Sequence, residues 1–157
     1  MATIHLTTLI GAPIDRVFDL ARSIDLHMAS TSRTNERAIA GVTAGLIGAG
    51  DEVTWRARHF GVSQTLTVRI EAFDRPAHFS DRMIRGAFRR MEHQHYFAVT
   101  PNGTAMRDVF EFQSPLGVIG RAVDALFMKR YLTSFLIGRN QMIKAAAESD
   151  DWRRYLG

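Results

Sequence analysis

The chain has 157 residues, of which 46% are hydrophobic and 23% are charged, with no cysteine and a net charge of +4 at pH 7. This length and composition predict one folded domain over residues 1–157, and the lack of cysteine excludes disulfides, thiolate metal sites and cysteine nucleophiles. Because no basic leader and no apolar run of about 18 residues is present, we expect a cytoplasmic protein without integral membrane association.

Short strands and turns follow one another through the first three quarters of the chain. Residues 2–9 mix β-branched and apolar side chains and stop at a Gly-Ala-Pro turn, which predicts a strand. Apolar residues at helical spacing then predict a short helix after Pro13, and Ser23 can cap a second one that ends near Ala29. Six further strands are predicted at 36–40, 51–60, 63–73, 78–85, 88–99 and 104–113, with an Asn-Gly turn between the last two.

A glycine-rich loop, residues 41–50, precedes the third predicted strand. Its Gly45, Gly48 and Gly50 superficially resemble a phosphate-binding loop, but the spacing is G-x-x-G-x-G and a strand follows. Dinucleotide binding requires a helix N-terminus at that point, so this function is rejected. The loop is therefore either a mobile segment at the mouth of a cavity or a tight connection.

Residues 115–148 form one helical pattern with an apolar stripe at a spacing near four. The stripe that we expect to cover a concave sheet consists of Ile119, Val123, Phe127, Tyr131, Phe135 and Met142. Together, the elements predict an α+β protein in which a curved antiparallel sheet of about seven strands wraps around a long C-terminal helix, with two short helices after the first strand. Such an arrangement encloses an internal pocket.

Three segments resemble a known superfamily: GAPIDRVFDL at residues 11–20, GAGDEVTWRARHFGV at 48–62 and PLGVIGRAVD at 115–124. With the order of elements, they make the chain similar to the helix-grip fold of the START-like superfamily, also called SRPBCC. Within it, the chain resembles a bacterial polyketide cyclase/dehydrase-like subgroup whose members are sometimes labelled cell-division inhibitors. The resemblance implies a cavity for a hydrophobic ligand between the sheet and the long helix, and no universal catalytic motif. We expect no cofactor.

Alternation along the strands places polar groups among the apolar residues that face the predicted cavity. On this basis His93, His95 and Asp108 should meet inside it. These groups could satisfy one another structurally, orient the polar head of a ligand, or act in catalysis with one imidazole as proton shuttle and Asp108 as its orienting partner. The predicted ligand-binding residues are Trp55, His59, Phe79, Met91, His93, His95, Phe97, Met106, Asp108, Phe110, Phe127, Tyr131 and Phe135.

Other partners are less well supported by the sequence. The six histidines do not predict a metal site, since a pair spaced like His93 and His95 arises easily by chance. The basic residues are dispersed and do not predict nucleic-acid binding. Their nearest cluster is either a solvated hairpin tip or a weak contact for an anion or a membrane surface, and consists of Arg82, Arg85, Arg89 and Arg90.

Three functions are compatible with these features. The first is binding of a small hydrophobic or amphipathic molecule of lipid, polyketide or isoprenoid type. The second is a cyclase or dehydratase with His93, His95 and Asp108 as catalytic candidates, and the third is an interaction module that docks on a protein or membrane. Binding requires only the pocket, whereas catalysis also requires a specific reactive geometry, so the sequence favours binding over an enzymatic activity.

Overall fold

The computed structural model describes all 157 residues and contains one seven-stranded antiparallel sheet with five helices. The strands are β1 (Ala2–Ile10), β2 (Arg37–Gly41), β3 (Glu52–His59), β4 (Val62–Asp74), β5 (His78–Arg85), β6 (Arg90–Thr100) and β7 (Gly103–Gln113). The helices are α1 (Ile14–Ala21), α2 (Ile24–Ser30), α3 (Gly117–Val123), α4 (Lys129–Ala147) and α5 (Trp152–Leu156), and a π-helical turn (Asp124–Met128) joins α3 to α4.

The strands lie in the order β1-β7-β6-β5-β4-β3-β2, so β1 and β2 form opposite edges although only α1 and α2 separate them in the chain. The continuous helical segment from Gly117 to Ala147 is 31 residues long. This architecture confirms the predicted α+β helix-grip fold, with a curved sheet, two short helices after the first strand and a long C-terminal helix. None of the helices is both long and apolar enough to cross a membrane.

The faces of the strands follow the predicted alternation. On β3, Val53, Trp55 and Ala57 are buried, whereas Arg56 and Arg58 are exposed. The same period-two pattern buries every second side chain of β7 from Thr104 to Phe112, and of β6 from Met91 to Phe97. The sheet therefore presents one buried face toward the helices, and its neighbouring strands bring the buried side chains into register.

The turn between β6 and β7 differs slightly from the predicted Asn-Gly hairpin. Thr100 pairs with Gly103, so Pro101 and Asn102 are the two loop residues. Gly103 begins β7 with a φ of +147°, and a Cβ atom there would lie 2.2 Å from the carbonyl oxygen of Ile10. Glycine is needed because β1 passes so close to the backbone at this point.

The glycine-rich loop is a tight connection held by hydrogen bonds. The amide of Gly45 donates to Asp25 Oδ2 at 2.8 Å, and the amide of Gly48 donates to Asp51 Oδ2 at 2.9 Å. Between them, the amide of Ile47 donates to the carbonyl oxygen of Arg22 at 3.2 Å, and the Ile47 side chain is buried. Of the two predicted alternatives, the bonding pattern therefore supports the tight connection.

The predicted stripe of the C-terminal helical segment was wrong in its first half. Ile119, Val123 and Phe127 point away from the sheet and are exposed, and Met142 is also exposed. The fully buried positions of the segment are instead Gly120, Asp124, Leu136, Arg139, Asn140, Ile143, Ala146 and Ala147. A spacing of four exceeds the 3.6 residues of an α-helical turn, so such a stripe advances by about 40° at each step and winds around the helix.

Candidate functional site

A cavity of about 390 Å³ lies between the buried face of the sheet and the helices α2 and α4. Of its 32 lining residues, 20 are hydrophobic, and the others include four histidines, two acidic residues and Arg139. This volume falls within the range of about 300–1,000 Å³ that is typical of small-molecule sites. The space between the sheet and the helices is thus hollow and mainly apolar, with a few polar groups in its wall.

Nine of the predicted ligand-binding residues line this cavity: Trp55, His59, Phe79, Met91, His93, His95, Phe110, Tyr131 and Phe135. Four do not. Phe97 and Met106 face each other across β6 and β7, and the Phe97 ring packs 5.1 Å from that of Phe18 on α1, beyond the cavity. Asp108 is fully buried behind the cavity wall, and Phe127 is 53% exposed on the outer side of the helix.

The polar part of the wall is built on three neighbouring strands. In the register of the sheet, His93 faces Asp81 on β5, and His95 faces Asp108 on β7. The hydrogen bonds follow the diagonals, since His93 Nε2 lies 2.7 Å from Asp108 Oδ1 and His95 Nε2 lies 2.8 Å from Asp81 Oδ2. The structure therefore brings His93, His95 and Asp108 together as predicted, and adds Asp81.

Two residues of α4 complete the polar cluster from the helix side. Asn140 Nδ2 donates to Asp108 Oδ2 at 2.8 Å, and Arg139 Nη1 donates to Asn140 Oδ1 at 2.9 Å and lies 3.5 Å from Asp108 Oδ1. Both side chains are buried, and Arg139 also donates to the carbonyl oxygen of Ala21 at 3.3 Å. The Asp108 carboxylate is thus held between sheet and helix and has a cation to balance it.

This enclosure changes the titration of the cluster. Burial, together with the charge of His95, lowers the pKa of His93 to about 4, although Asp108 acts in the opposite direction. Burial alone would raise the pKa of Asp108, but the side chains of His93 and His95 and the charge of Arg139 outweigh burial and hold it well below 3.8. At neutral pH, His93 is therefore neutral and donates its Nε2 hydrogen to an ionised Asp108.

His95 has one nitrogen that the protein does not satisfy. Its ring is stacked on Phe79, with ring centroids 4.1 Å apart, and lies at a tilt of 31° against His93, with ring centroids 3.7 Å apart. Nδ1 is buried without a hydrogen-bond partner, because Asp108 Oδ1 lies 3.5 Å away and outside hydrogen-bonding geometry. A buried polar atom without a partner is costly, by about 1–3 kcal/mol.

Asp81, His93 and His95 bring ligand-type atoms within 4.8 Å of one another, which raises the question of a metal ion. Both histidine Nε2 atoms are already hydrogen-bonded to carboxylates. The two rings lie against each other with centroids 3.7 Å apart and a tilt of 31°. The cluster fits hydrogen bonding better than metal binding.

Two further polar pairs involve residues of α2, β3 and α4 and the residue just before β2. His27 Nε2 lies 2.9 Å from the Glu36 carboxylate, and the His27 ring packs against Trp55 with centroids 4.3 Å apart. His59 Nδ1 lies 2.6 Å from the Tyr131 hydroxyl. Burial, with the nearby charge of Glu36, raises the pKa of Tyr131, so the hydroxyl stays protonated at neutral pH. The cavity therefore has polar groups in two parts of its wall.

Sequence reasoning missed Asp81, Arg139, Asn140, His27 and Glu36. Alternation on β5 could have placed Asp81 on the inner face, because Phe79 and Asp81 share it. The prediction of a buried Asp108 could also have prompted a search for a cation on the facing helix, since an unpaired buried charge is unfavourable. His27 and Glu36 are brought together only by the packing of α2 against the region of β2.

Comparison with known proteins agrees with this fold. Residues 1–148 match the family model described as polyketide cyclase / dehydrase and lipid transport. No curated protein matches the chain.

Several solved structures have a similar fold. The structure of TTHA0849 from Thermus thermophilus is 19% identical, with a TM-score of 0.72, and the match covers 93% of this chain and 99% of that one. The major latex-like protein 151 from Panax ginseng is 13% identical, with a TM-score of 0.69 and coverage of 94% and 98%. The di-domain ARO/CYC StfQ from the steffimycin biosynthetic pathway is 13% identical, with a TM-score of 0.73 and coverage of 93% and 50%.

Proposed function

The chain belongs to the polyketide cyclase / dehydrase and lipid transport family, and from this premise we propose that it binds a small hydrophobic or amphipathic molecule in the cavity. The observation that carries the proposal is the cavity of about 390 Å³, whose apolar wall holds a buried histidine nitrogen without a partner. Apolar enclosure supplies most of the affinity, and a few polar groups orient the ligand.

The polar cluster favours a hydroxyl group at the buried end of the ligand. His95 Nε2 is hydrogen-bonded to Asp81, so the buried Nδ1 is the one ring nitrogen of His95 that a ligand can satisfy. Two carboxylates, Asp81 and Asp108, face the single guanidinium of Arg139 and a neutral His93, so a further anion would be repelled. A phenol or alcohol on an apolar body, as found in lipid, polyketide and isoprenoid molecules, provides the missing partner, because a hydroxyl group can both donate and accept a hydrogen bond.

The test compares two probes that differ by one hydroxyl group, α-naphthol and naphthalene. We expect the protein to bind α-naphthol about fivefold more tightly, which corresponds to one hydrogen bond of about 1 kcal/mol. His95→Phe should abolish this preference while it keeps an aromatic ring beside Phe79. His78→Phe is the matched control, because His78 does not line the cavity and is bonded to Gln94.

Equal affinity for the two probes in the unaltered protein would refute the hydroxyl assignment, and no binding of either probe would refute the binding function. Native mass spectrometry of the purified protein then identifies the natural ligand, because a stoichiometric adduct gives its mass directly. The same measurement on His95→Phe shows whether the adduct depends on the polar wall.

A second candidate is a cyclase or dehydratase, which is supported by the hydrogen bond between His93 and Asp108 and by the fold that the chain shares with StfQ. The pKa of about 4 makes His93 a weak base at neutral pH, which favours the binding function. If the protein turns over an aromatic polyketide and a folded His93→Gln variant does not, the enzymatic function would be favoured over binding.

A further inference from the structure

The outer side of the C-terminal helical segment carries large apolar side chains that contact no other part of the core. They are between 41% and 81% exposed and form what we call the apolar face: Leu116, Val118, Ile119, Val123, Leu126 and Phe127. Isolated exposed apolar residues are normal, but a contiguous group on one short segment marks an interaction surface. The apolar face spans α3 and the π-helical turn.

The charges around the apolar face have one sign. Arg121, Lys129 and Arg130 are exposed on the same segment. Asp124 is the only acidic residue between Gln113 and Glu148, and it is buried, where it accepts a hydrogen bond from the amide of Ser114 at 2.8 Å. The segment therefore presents apolar and cationic groups to solvent, and its one carboxylate is turned inward.

The β5–β6 hairpin lies beside this segment and extends the positive charge. The amide of Arg89 donates to the carbonyl oxygen of Gln113 at 2.8 Å, just before α3. Arg85, Arg89 and Arg90 are exposed, whereas Ala87 and Phe88 of the same hairpin line the cavity. Three arginines of the predicted basic cluster thus lie next to both the apolar face and the cavity, whereas Arg82 is paired with Glu71 at 2.7 Å.

Phe60 connects the apolar face to the mouth of the cavity. It is 58% exposed, lines the cavity, and its ring lies 5.4 Å from that of Phe127. Phe60 and Gly61 form the two-residue turn between β3 and β4 with φ angles of +53° and +74°. A bulky aromatic residue is unfavourable in this conformation, where asparagine or glycine is usual, so the exposed ring is retained at a conformational cost.

We propose that the apolar face docks on the surface of an anionic lipid bilayer, with the surrounding arginines and lysine on the headgroups and the cavity mouth toward the membrane. Amphipathic helices bind such surfaces through buried apolar side chains and through cations worth about 1 kcal/mol each near the surface. A second copy of the chain fits less well, because a two-fold contact through this face would bring its cations together. The proposal is independent of the identity of the cavity ligand.

Flotation with lipid vesicles provides the first test. The unaltered protein should bind vesicles of phosphatidylcholine mixed with phosphatidylglycerol, should bind pure phosphatidylcholine much less, and should be released at high salt. Leu126→Ser with Phe127→Ser should weaken binding at least about tenfold, since two apolar groups no longer enter the interface. Val99→Ser is the matched control, because Val99 is 74% exposed on β6, away from the basic residues, and Leu126 is 81% exposed.

Phe60→Asn provides a variant in which the fold is not at risk, because asparagine suits the turn better than phenylalanine. It should keep the thermal stability of the protein but lower vesicle binding severalfold. A site-specific probe gives an independent measurement, because the chain has no cysteine of its own. An environment-sensitive dye on Leu126→Cys should shift to shorter wavelength with anionic vesicles, and the same dye on Val99→Cys should not.

Three outcomes would overturn the proposal: no binding to anionic vesicles, an equal loss of binding in Val99→Ser, or a dimer that dissociates when Leu126 and Phe127 are replaced. The last outcome would assign the face to a second copy of the chain. Naphthol binding by the same variants separates this test from that of the proposed function, because the two replaced side chains lie outside the cavity.

Discussion

The first half of the C-terminal helical segment, residues 117–128, turns five large apolar side chains toward solvent, whereas the second half, residues 129–147, buries an arginine and an asparagine. In the first half, the buried polar group is Asp124, which is bonded to Ser114 at the end of the sheet. In the second half, Arg139 and Asn140 meet Asp108 on β7. Burial along this helix is therefore decided by the group that lies opposite and not by apolarity alone.

The geometry of the helix explains why one apolar stripe divides into two surfaces. From Ile119 to Phe135, the stripe takes four steps of four residues, which rotate it by about 160° around an α-helix. The π-helical turn between the two halves further changes the phase of the side chains. Tyr131 and Phe135 consequently line the cavity, whereas Ile119 and Phe127 lie on the outer side. The same pattern supplies a cavity wall in one half and an external face in the other.

The largest difference between the halves should appear when the polar contact of the second half is broken. Asp108→Leu leaves Arg139, Asn140 and His93 without their common acceptor. We expect the free energy of unfolding to fall by about 3–5 kcal/mol, because removal of one partner leaves buried charge uncompensated. Urea denaturation measures this loss. Asp15→Ala is the control, since its exposed carboxylate should change stability by about 0.5 kcal/mol or less. A loss below about 1 kcal/mol in Asp108→Leu would contradict this account.

The pH dependence of stability should come from the same polar cluster, because burial lowers the pKa of His93. The folded pKa of His93 is lowered from 6.5 to about 4, so the unfolded chain binds more protons between these values. The contribution of His93 to the free energy of unfolding is fully present above pH 6.5. It falls by about 3 kcal/mol in total as the pH decreases toward 4. The lowered pKa of Asp108 adds a further loss below its ordinary value of 3.8. Urea denaturation at several pH values checks this slope.

Two variants decide whether the slope belongs to the polar cluster that the second half of the helix covers. His93→Gln removes the titrating group and should flatten the profile above pH 4, whereas Leu126→Ser in the first half should leave it unchanged. A profile with the same slope in His93→Gln would assign the pH dependence to other groups.

The last comparison truncates one leucine in each half of the helical segment, and the smallest change in the free energy of unfolding is expected in the first half. Leu136→Ala removes a buried side chain of α4 and should lower the free energy of unfolding by about 2–3 kcal/mol. Leu126→Ala removes an 81% exposed side chain and should change it by about 0.5 kcal/mol or less. Similar losses in the two variants would mean that the first half also packs against the core in solution.

Much of the candidate site could be predicted from local pattern. His93 and His95 share a face because successive side chains of a strand alternate, and the short connection between β6 and β7 leaves one register for Asp108. Asp81 follows by the same rule once β5 is included. Phe97, Met106 and Asp108 could not be separated from the strand residues that line the cavity, because alternation gives the face of a strand but not the depth of the helix above it. Phe127 was misplaced for a different reason, since its stripe winds around the helix.

The polar residues of the helices could not be assigned in this way. Arg139 and Asn140 lie beside Gly138 on a helix whose apolar residues occur on more than one side, so their burial depends on where α4 crosses the sheet. His27 and Glu36 come from separate elements and meet through the packing of α2 against the region of β2. Neither contact has a periodic signal along the chain.

The sequence by itself determined the order of elements, the α+β class, the faces of the strands and the meeting of His93, His95 and Asp108, because these features depend on backbone periodicity and short connections. Only the tertiary structure decided that the interior is hollow, that Arg139 and Asn140 enclose Asp108, and that Leu126 and its neighbours remain outside. These features depend on the distance and phase at which a long helix rests on a curved sheet. Many residues set that geometry jointly, and no local pattern records it.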